Sequence, residues 1–278
     1  MRWYFLIDEN QNLMQLKSIH IYPLKSARGV VLASAQLTAR GLEGDRRWML
    51  IDPQGKFITA RQLPQLVLID AQTTAAGLRL QVAGQTAIQV PTPTRERAKV
   101  MVTIWQSPCP ARIADAAAND WISRVIGHPA RLVYLDDDCL RGVAPAWSEP
   151  GDQVSFADGF PLLLIGSASL DELNRRLPQA VTMARFRPNL VVQTALPFIE
   201  DSWRQIALGG VRLAVSKPCT RCVLTTVDPE SGVKNGNGEP LKTLASFRRT
   251  ALGICFGQNL IPRSVGRLQI GDRLSVLA

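Results

Sequence analysis

Cys219 and Cys222 stand three residues apart in SKPCTRCVLTTVDPESG (216–232), with Lys217 and Arg221 beside them and Thr220 between. A thiolate is the only soft, strongly donating ligand this chain offers a metal. Such a pair suits half a structural zinc site, a redox dithiol, or a single thiolate held against something anionic. Zinc needs a second ligand pair. Cys109, Cys139 and Cys255 are isolated, the histidines are His20 and His128, and none of them supplies a second pair at zinc spacing. A thioredoxin-like dithiol opens a helix whose dipole lowers the thiol pKa. Here VLTTVDP (223–229) is β-branched and predicts a strand. Two ordinary buried cysteines would leave the cationic and hydroxyl neighbours unexplained. A thiolate facing an anion remains.

The elements that carry these residues are mostly short. The apolar runs LVLID (66–70), LRLQV (78–82), KVMVTIW (99–105), NLVVQT (189–194) and VRLAVS (211–216) are bounded by Gly, Pro, Asn or Asp and predict strands. Gly209-Gly210 has the signature of a two-residue hairpin turn, and Val82-Ala83-Gly84-Gln85 is a weaker version. Frequent turns between short strands predict a mainly β (α+β) fold of antiparallel barrels with few helices, not a doubly wound sheet. In SLDELNRRL (169–177), Ser169 is placed to cap a helix with Glu172 reaching back, and Leu170, Leu173 and Leu177 share one face. ARIADAAANDWISRVIGHP (111–129) sets Ile113, Ala117, Trp121, Ile122 and Val125 at helical spacing, with Gly127 to end the helix and Pro129 beyond it. The polar segment 136–153 reads as a loop or a domain boundary.

The chain has 278 residues, and its 46% hydrophobic content supplies a sizeable core. Its 32 Lys and Arg against 23 Asp and Glu give a net charge of +9, which favours an anionic partner without naming one. The basic residues are scattered, so charge alone does not argue for nucleic-acid binding. Trp3 to Leu6 is too short for a signal sequence, and no later stretch reaches the length of a membrane span. The expectation is a protein without membrane or nucleic-acid partners. Five cysteines, an odd count at irregular spacing, point to the reducing cytoplasm.

With these motifs on the page, KPCTRCVLTTVDPESG resembles the signature of MOSC domains, the molybdenum-cofactor sulfurase C-terminal-like domains. The motifs IHIYPLKSARG (19–29), GLEGDRRWMLID (41–52) and FITARQLPQLVLI (57–69) resemble the β-barrel domain that precedes MOSC in one branch. That branch holds the mitochondrial amidoxime-reducing component and the bacterial YcbX-type proteins. FADGFPLLLIGSASLDELN (156–174), RFRPNLVV (185–192) and CFGQNLI (255–261) extend the resemblance over nearly the whole chain. The resemblance implies an N-terminal barrel domain over 14–135 and a MOSC domain over 136–278.

The resemblance also implies a cofactor, molybdenum carried by a phosphorylated pterin dithiolene, with Cys222 as the protein's ligand to the metal. It assigns pterin and phosphate contacts to Lys25, Ser26, Arg46, Arg187 and Asn189. Thr220 and Arg221 flank the ligand, and Asp158 lines the pocket. It assigns nothing to Cys219, which reads as structural. The implied activity is reduction of small N-hydroxylated compounds such as hydroxylaminopurines or amidoximes. The alternative is a cofactor carrier, or a sulfur-transfer module with a persulfide on cysteine. No C-x₄-C-x₂-C run for a ferredoxin cluster and no G-x-G-x-x-G is present. No resident iron–sulfur cluster, flavin or zinc is expected, and electrons are expected from a separate flavoprotein or ferredoxin-like reductase.

Overall fold

A computed structural model describes residues 14–278, so the expectation for Trp3 to Leu6 lies outside the described residues. The fold is mainly β. A nine-stranded sheet runs Leu274–Val276, Gln205–Leu208, Val211–Thr220, Gly253–Pro262, Leu162–Gly166, Leu190–Val192, Leu16–Ile21 and Val30–Leu32, with Arg249–Thr250 pairing off its fourth member. A four-stranded sheet joins Trp48–Ile51, Arg131–Tyr134, Ser107–Ile113 and Lys99–Ile104. Two three-stranded sheets complete it, one of them a meander of Asp70–Thr74, Gly77–Gln81 and Ile88–Pro91. Named pairings are antiparallel except Leu162–Gly166 with Leu190–Val192. A parallel pair needs a crossover, and the helix Ser167–Arg176 lies within that connection.

Hydrogen bonding does not follow a division at 135/136. Strand Leu16–Ile21 pairs with Leu190–Val192, and Ser34–Thr38 pairs with Gly266–Gln269. One core cluster accordingly mixes Leu16, Ile19 and Leu37 with Leu190, Leu213 and Leu260. Chain segments remote in sequence therefore meet at the cavity described below.

Local readings hold where local forces decide. Gly209 and Gly210, both at positive φ, link Gln205–Leu208 to Val211–Thr220 in a two-residue hairpin. Helix α1, Ala116–Ile126, ends at Gly127 with φ 71°. Its start differs from expectation: Ile113 closes a strand, and Asp115 caps the helix by accepting from the Ala118 N–H at 2.8 Å.

Three other readings are corrected. Residues 64–68 form a 3₁₀ turn opened by Pro64, whose fixed φ suits a first helical position, and the strand begins only at Asp70. Residues 223–226 are also a 3₁₀ turn rather than a strand. There Thr225 Oγ1 donates to the Cys222 carbonyl at 3.0 Å and Thr226 Oγ1 to the Val223 carbonyl at 2.7 Å. Such back-bonding lets β-branched residues hold a turn. Ser169 is not a cap: helix α2 spans Ser167–Arg176 with Gly166 at its N-cap. The Ser169 hydroxyl donates instead to buried Glu200 at 2.7 Å, and Glu172 pairs with Arg175 and Arg176. Leu173 is still fully buried, with Leu170 and Leu177 packed beside it.

Candidate functional site

A cavity of about 430 Å³ opens between the large sheet and the loops of the first half. Every candidate site residue lines it: Lys25, Ser26, Arg46, Asp158, Arg187, Asn189, Thr220, Arg221 and Cys222. Their backbone conformations set them apart. Among the described residues five non-glycine residues have positive φ, and four of them, Ser26 (72°), Arg46 (47°), Trp105 (56°) and Arg187 (55°), line this cavity. Each such conformation costs about 1–3 kcal/mol and persists where surrounding structure forces it, most often at functional sites.

The cationic wall is built on Tyr22. Its ring is sandwiched by the guanidinium groups of Arg46 at 4.3 Å and Arg187 at 4.1 Å, and its hydroxyl donates to the Pro188 carbonyl at 3.0 Å. Burial pushes the Tyr22 phenol up to about 12, so it stays neutral between two cations. Gly29 makes room for this ring, because a Cβ there would sit 2.6 Å from the Tyr22 Cε1. Arg46 donates to Asp45 at 2.6 Å and to Asn189 Oδ1 at 2.9 Å. The Asn189 amide donates in turn to the His20 carbonyl at 3.1 Å, so Asn189 spends its polar atoms holding Arg46 and the sheet. Arg187 donates to the Ala27 carbonyl at 2.7 Å, while its other terminal nitrogen is buried without a partner. Burial pushes Arg187 down to about 10, which still leaves it cationic at neutral pH.

The floor is an ion cluster. Lys25, 6% exposed, donates to the Phe156 carbonyl at 2.7 Å and to Asp158 at 2.6 Å. Burial pushes Lys25 down to about 8 against the opposing pull of Asp158. Asp158 keeps about half its side chain open to the cavity although protein atoms crowd around it. Burial favours its neutral form, but Lys25 and Arg61 outweigh that and hold the carboxyl well below the usual range. Buried Arg141 fixes the loop beneath by donating to the carbonyls of Ser155, Ala157 and Asp158.

The thiols differ in their partners. Strand Val211–Thr220 delivers Cys219, and Cys222 stands just beyond it, where the 3₁₀ turn begins. Arg221 donates to Cys219 Sγ at 2.9 Å and to the Phe186 carbonyl at 2.7 Å, and its Nε is buried without a partner. Cys222 Sγ accepts from Arg61 Nε at 3.2 Å, and the same guanidinium donates to Asp158. Arg61 is the residue that sequence reasoning missed. It lies within the quoted FITARQLPQLVLI motif, but nothing in its spacing ties it to a thiol 161 positions away. Tyr22 and Trp105 were missed in the same way, whereas Lys217, already singled out beside Cys219, lines the cavity as well.

This donor set fits a particular kind of metal group. Among the described residues no three His, Cys, Asp or Glu side chains converge to cage an ion. A metal bound at Cys222 must therefore bring most of its own ligands, as a chelate does. Two buried guanidinium nitrogens without partners, on Arg187 and Arg221, suit an anionic extension of such a chelate.

Comparisons with known proteins agree with the sequence signature. Residues 13–129 match the MOSC N-terminal beta barrel domain and residues 151–275 the MOSC domain. The human mitochondrial amidoxime-reducing component 1 is 34% identical over 286 residues, covering 96% of this chain and 84% of that protein. The Xenopus laevis protein of the same name is 32% identical over 294 residues, covering 98% and 85%. Human mitochondrial amidoxime reducing component 2 is 32% identical over 280 residues, covering 94% and 83%. Among solved structures, the YUAD protein of Bacillus subtilis aligns over 94% of this chain and 93% of its own, at 12% identity and a TM-score of 0.43.

Proposed function

Because this chain belongs to the family that joins a MOSC N-terminal β-barrel to a MOSC domain, we propose that it is a molybdenum-cofactor-dependent reductase of N-hydroxylated compounds. The observation that carries the proposal is the Cys222 thiol, on a cavity that Cys219 also lines and whose other walls present Lys25, Arg46, Arg187 and Arg221. Cys222 would hold the metal as a thiolate, and the four cations would hold the pterin and its phosphate. Ser26 and Thr220 add hydroxyls at the same wall. When bound, the cofactor supplies reductive cleavage of an N–O bond, in which two electrons and two protons turn an N-hydroxyl compound into amine and water.

The chain's own residues do the rest. Asp158 presents an acceptor at the cavity floor and orients an N–H or O–H of the substrate. Lys25, with its ammonium pushed down to about 8, holds a proton at Nζ within hydrogen-bond reach of that carboxylate. Arg61 keeps Cys222 and Asp158 in fixed relation. Electrons come one at a time from a separate reductase, flavoprotein or ferredoxin-like. Five free thiols support the cytoplasm as its compartment.

Metal and pterin content of protein made in a cofactor-competent host, followed by assay with a reduced viologen, tests this reading. Wild type should carry about one molybdenum per chain and reduce an amidoxime, as the single-thiolate donor set requires. Cys222→Ser should lose both, because a hydroxyl is a hard and weakly ionised donor, while Cys219→Ser keeps most of each. Bound cofactor without turnover would instead establish a carrier.

A further inference from the structure

Trp105 is the most exposed large aromatic at this cavity, and the reading above leaves it without a task. It opens the two-residue link Trp105-Gln106 between strands Lys99–Ile104 and Ser107–Ile113. Turns of this length take positive φ and favour Asn or Gly. Trp105 adopts φ 56° there, and 56% of it stays exposed. A bulky residue in a left-handed turn is disfavoured. Neither burial nor turn chemistry accounts for it.

Its surroundings hold the ring still. The Phe57 ring meets it edge-on at 5.3 Å, and the Arg61 guanidinium covers it at 4.8 Å. That guanidinium also donates to Cys222 Sγ, so a single side chain separates the indole from the thiol. The side chains bonded to one another around Cys222 are Arg61, Asp158 and Lys25, and the indole sets a flat apolar surface beside them. A ring so braced, with part of its surface open, is built for a ligand that stacks.

We propose that Trp105 is the substrate platform, selecting planar, π-conjugated N-hydroxylated compounds, such as N-hydroxylated heteroaromatic bases and aryl amidoximes, over small aliphatic ones. The proposal rests on the reductase reading for its chemistry but not for its binding. Stacking a base on an aromatic side chain changes affinity by about fivefold to more than a hundredfold.

The test compares holoprotein carrying Trp105, Trp105→Asn or Trp105→Phe, with a reduced viologen as donor and benzamidoxime or acetamidoxime as substrate. Asn suits the left-handed turn, so the hairpin is kept. The preference, kcat/KM for benzamidoxime over kcat/KM for acetamidoxime, should fall at least about tenfold in Trp105→Asn and be largely restored in Trp105→Phe. Equilibrium dialysis of benzamidoxime with apoprotein should show the same order of affinities. A preference and a dialysis affinity unchanged by Trp105→Asn would overturn the proposal. So would a defect seen only with a protein electron donor, which would make the indole a docking contact. If wild type reduces neither substrate, the reductase reading fails, and dialysis alone still decides whether Trp105 binds planar ligands.

Discussion

Asp158 and Glu200 are both carboxylates packed among protein atoms, and they are held in opposite ways. Asp158 lies between two cations, Lys25 and Arg61, and is held well below the usual carboxylate range although burial works against it. Glu200 is fully buried, and among the described residues no cation pairs with it. It accepts from the Gly166 N–H at 3.0 Å and from Ser169 Oγ at 2.7 Å, at the start of helix α2. Burial pushes Glu200 up despite those bonds. Its second oxygen is buried without a partner. The first arrangement keeps a charge at a cavity, where it can act on a ligand. The second uses a carboxyl group to tie α2 to the segment after Leu190–Val192, and it needs no charge to do so. At Glu200 the hydrogen bonds do not outweigh burial, whereas at Asp158 the adjacent cations do.

The comparison breaks first at Asp158. Asp158→Asn leaves Lys25 and Arg61 facing one another without a counter-charge. Breaking a fully buried pair costs about 3–5 kcal/mol, and the open side of Asp158 trims this to about 2 kcal/mol in chemical denaturation. A loss below about 0.5 kcal/mol would show a cluster neutralised by solvent. Gly166→Ala comes next. Its Cβ would sit 2.8 Å from Glu200 Oε2 and 2.8 Å from Thr194 Oγ1, and overpacking of this kind should cost about 1.5 kcal/mol by the same measurement.

The two carboxyl groups should also give the stability curve slopes of opposite sign. Asp158 has a folded pKa below its ordinary 3.8, so the unfolded chain binds more protons there, and its contribution is lost as pH falls below 3.8. Glu200 has a folded pKa above its ordinary 4.5, so the folded chain binds more protons just above 4.5, and stability falls as pH rises through that window. Thermal melts of Glu200→Gln should lose the second slope and keep the first. The smallest effect is that of Glu200→Gln itself at neutral pH. The amide keeps a carbonyl for Ser169 and Gly166 and carries no charge, so stability should stay within about 1 kcal/mol of wild type or rise slightly. A loss of several kcal/mol would mean that Glu200 is needed as an anion, and the contrast with Asp158 would collapse.

What the sequence determined by itself is what short-range rules govern. Four of the five apolar runs bounded by turn residues fall on strands, the Gly209-Gly210 turn placed a hairpin, and Gly127 ended α1. The signature motifs marked the cavity residues from Lys25 to Cys222 because each motif is contiguous. Where two local rules competed, a distant partner settled the outcome. Ser169 had the spacing of a cap, but Glu200, 31 residues on, took its hydroxyl and left α2 to start at Ser167. The β-branched run after Cys222 suited a strand, but hydroxyls bonding back to its own carbonyls made it a turn. The tertiary structure alone brought Arg61 to Cys222, Tyr22 between Arg46 and Arg187, and Trp105 to the mouth of the cavity. Those meetings depend on strand Leu16–Ile21 pairing with Leu190–Val192 and on the hairpin of Lys99–Ile104 with Ser107–Ile113, which carries Trp105 in its turn. No local periodicity encodes contacts of that span, because they form only when the whole core closes and offsets the entropy of bringing remote segments together.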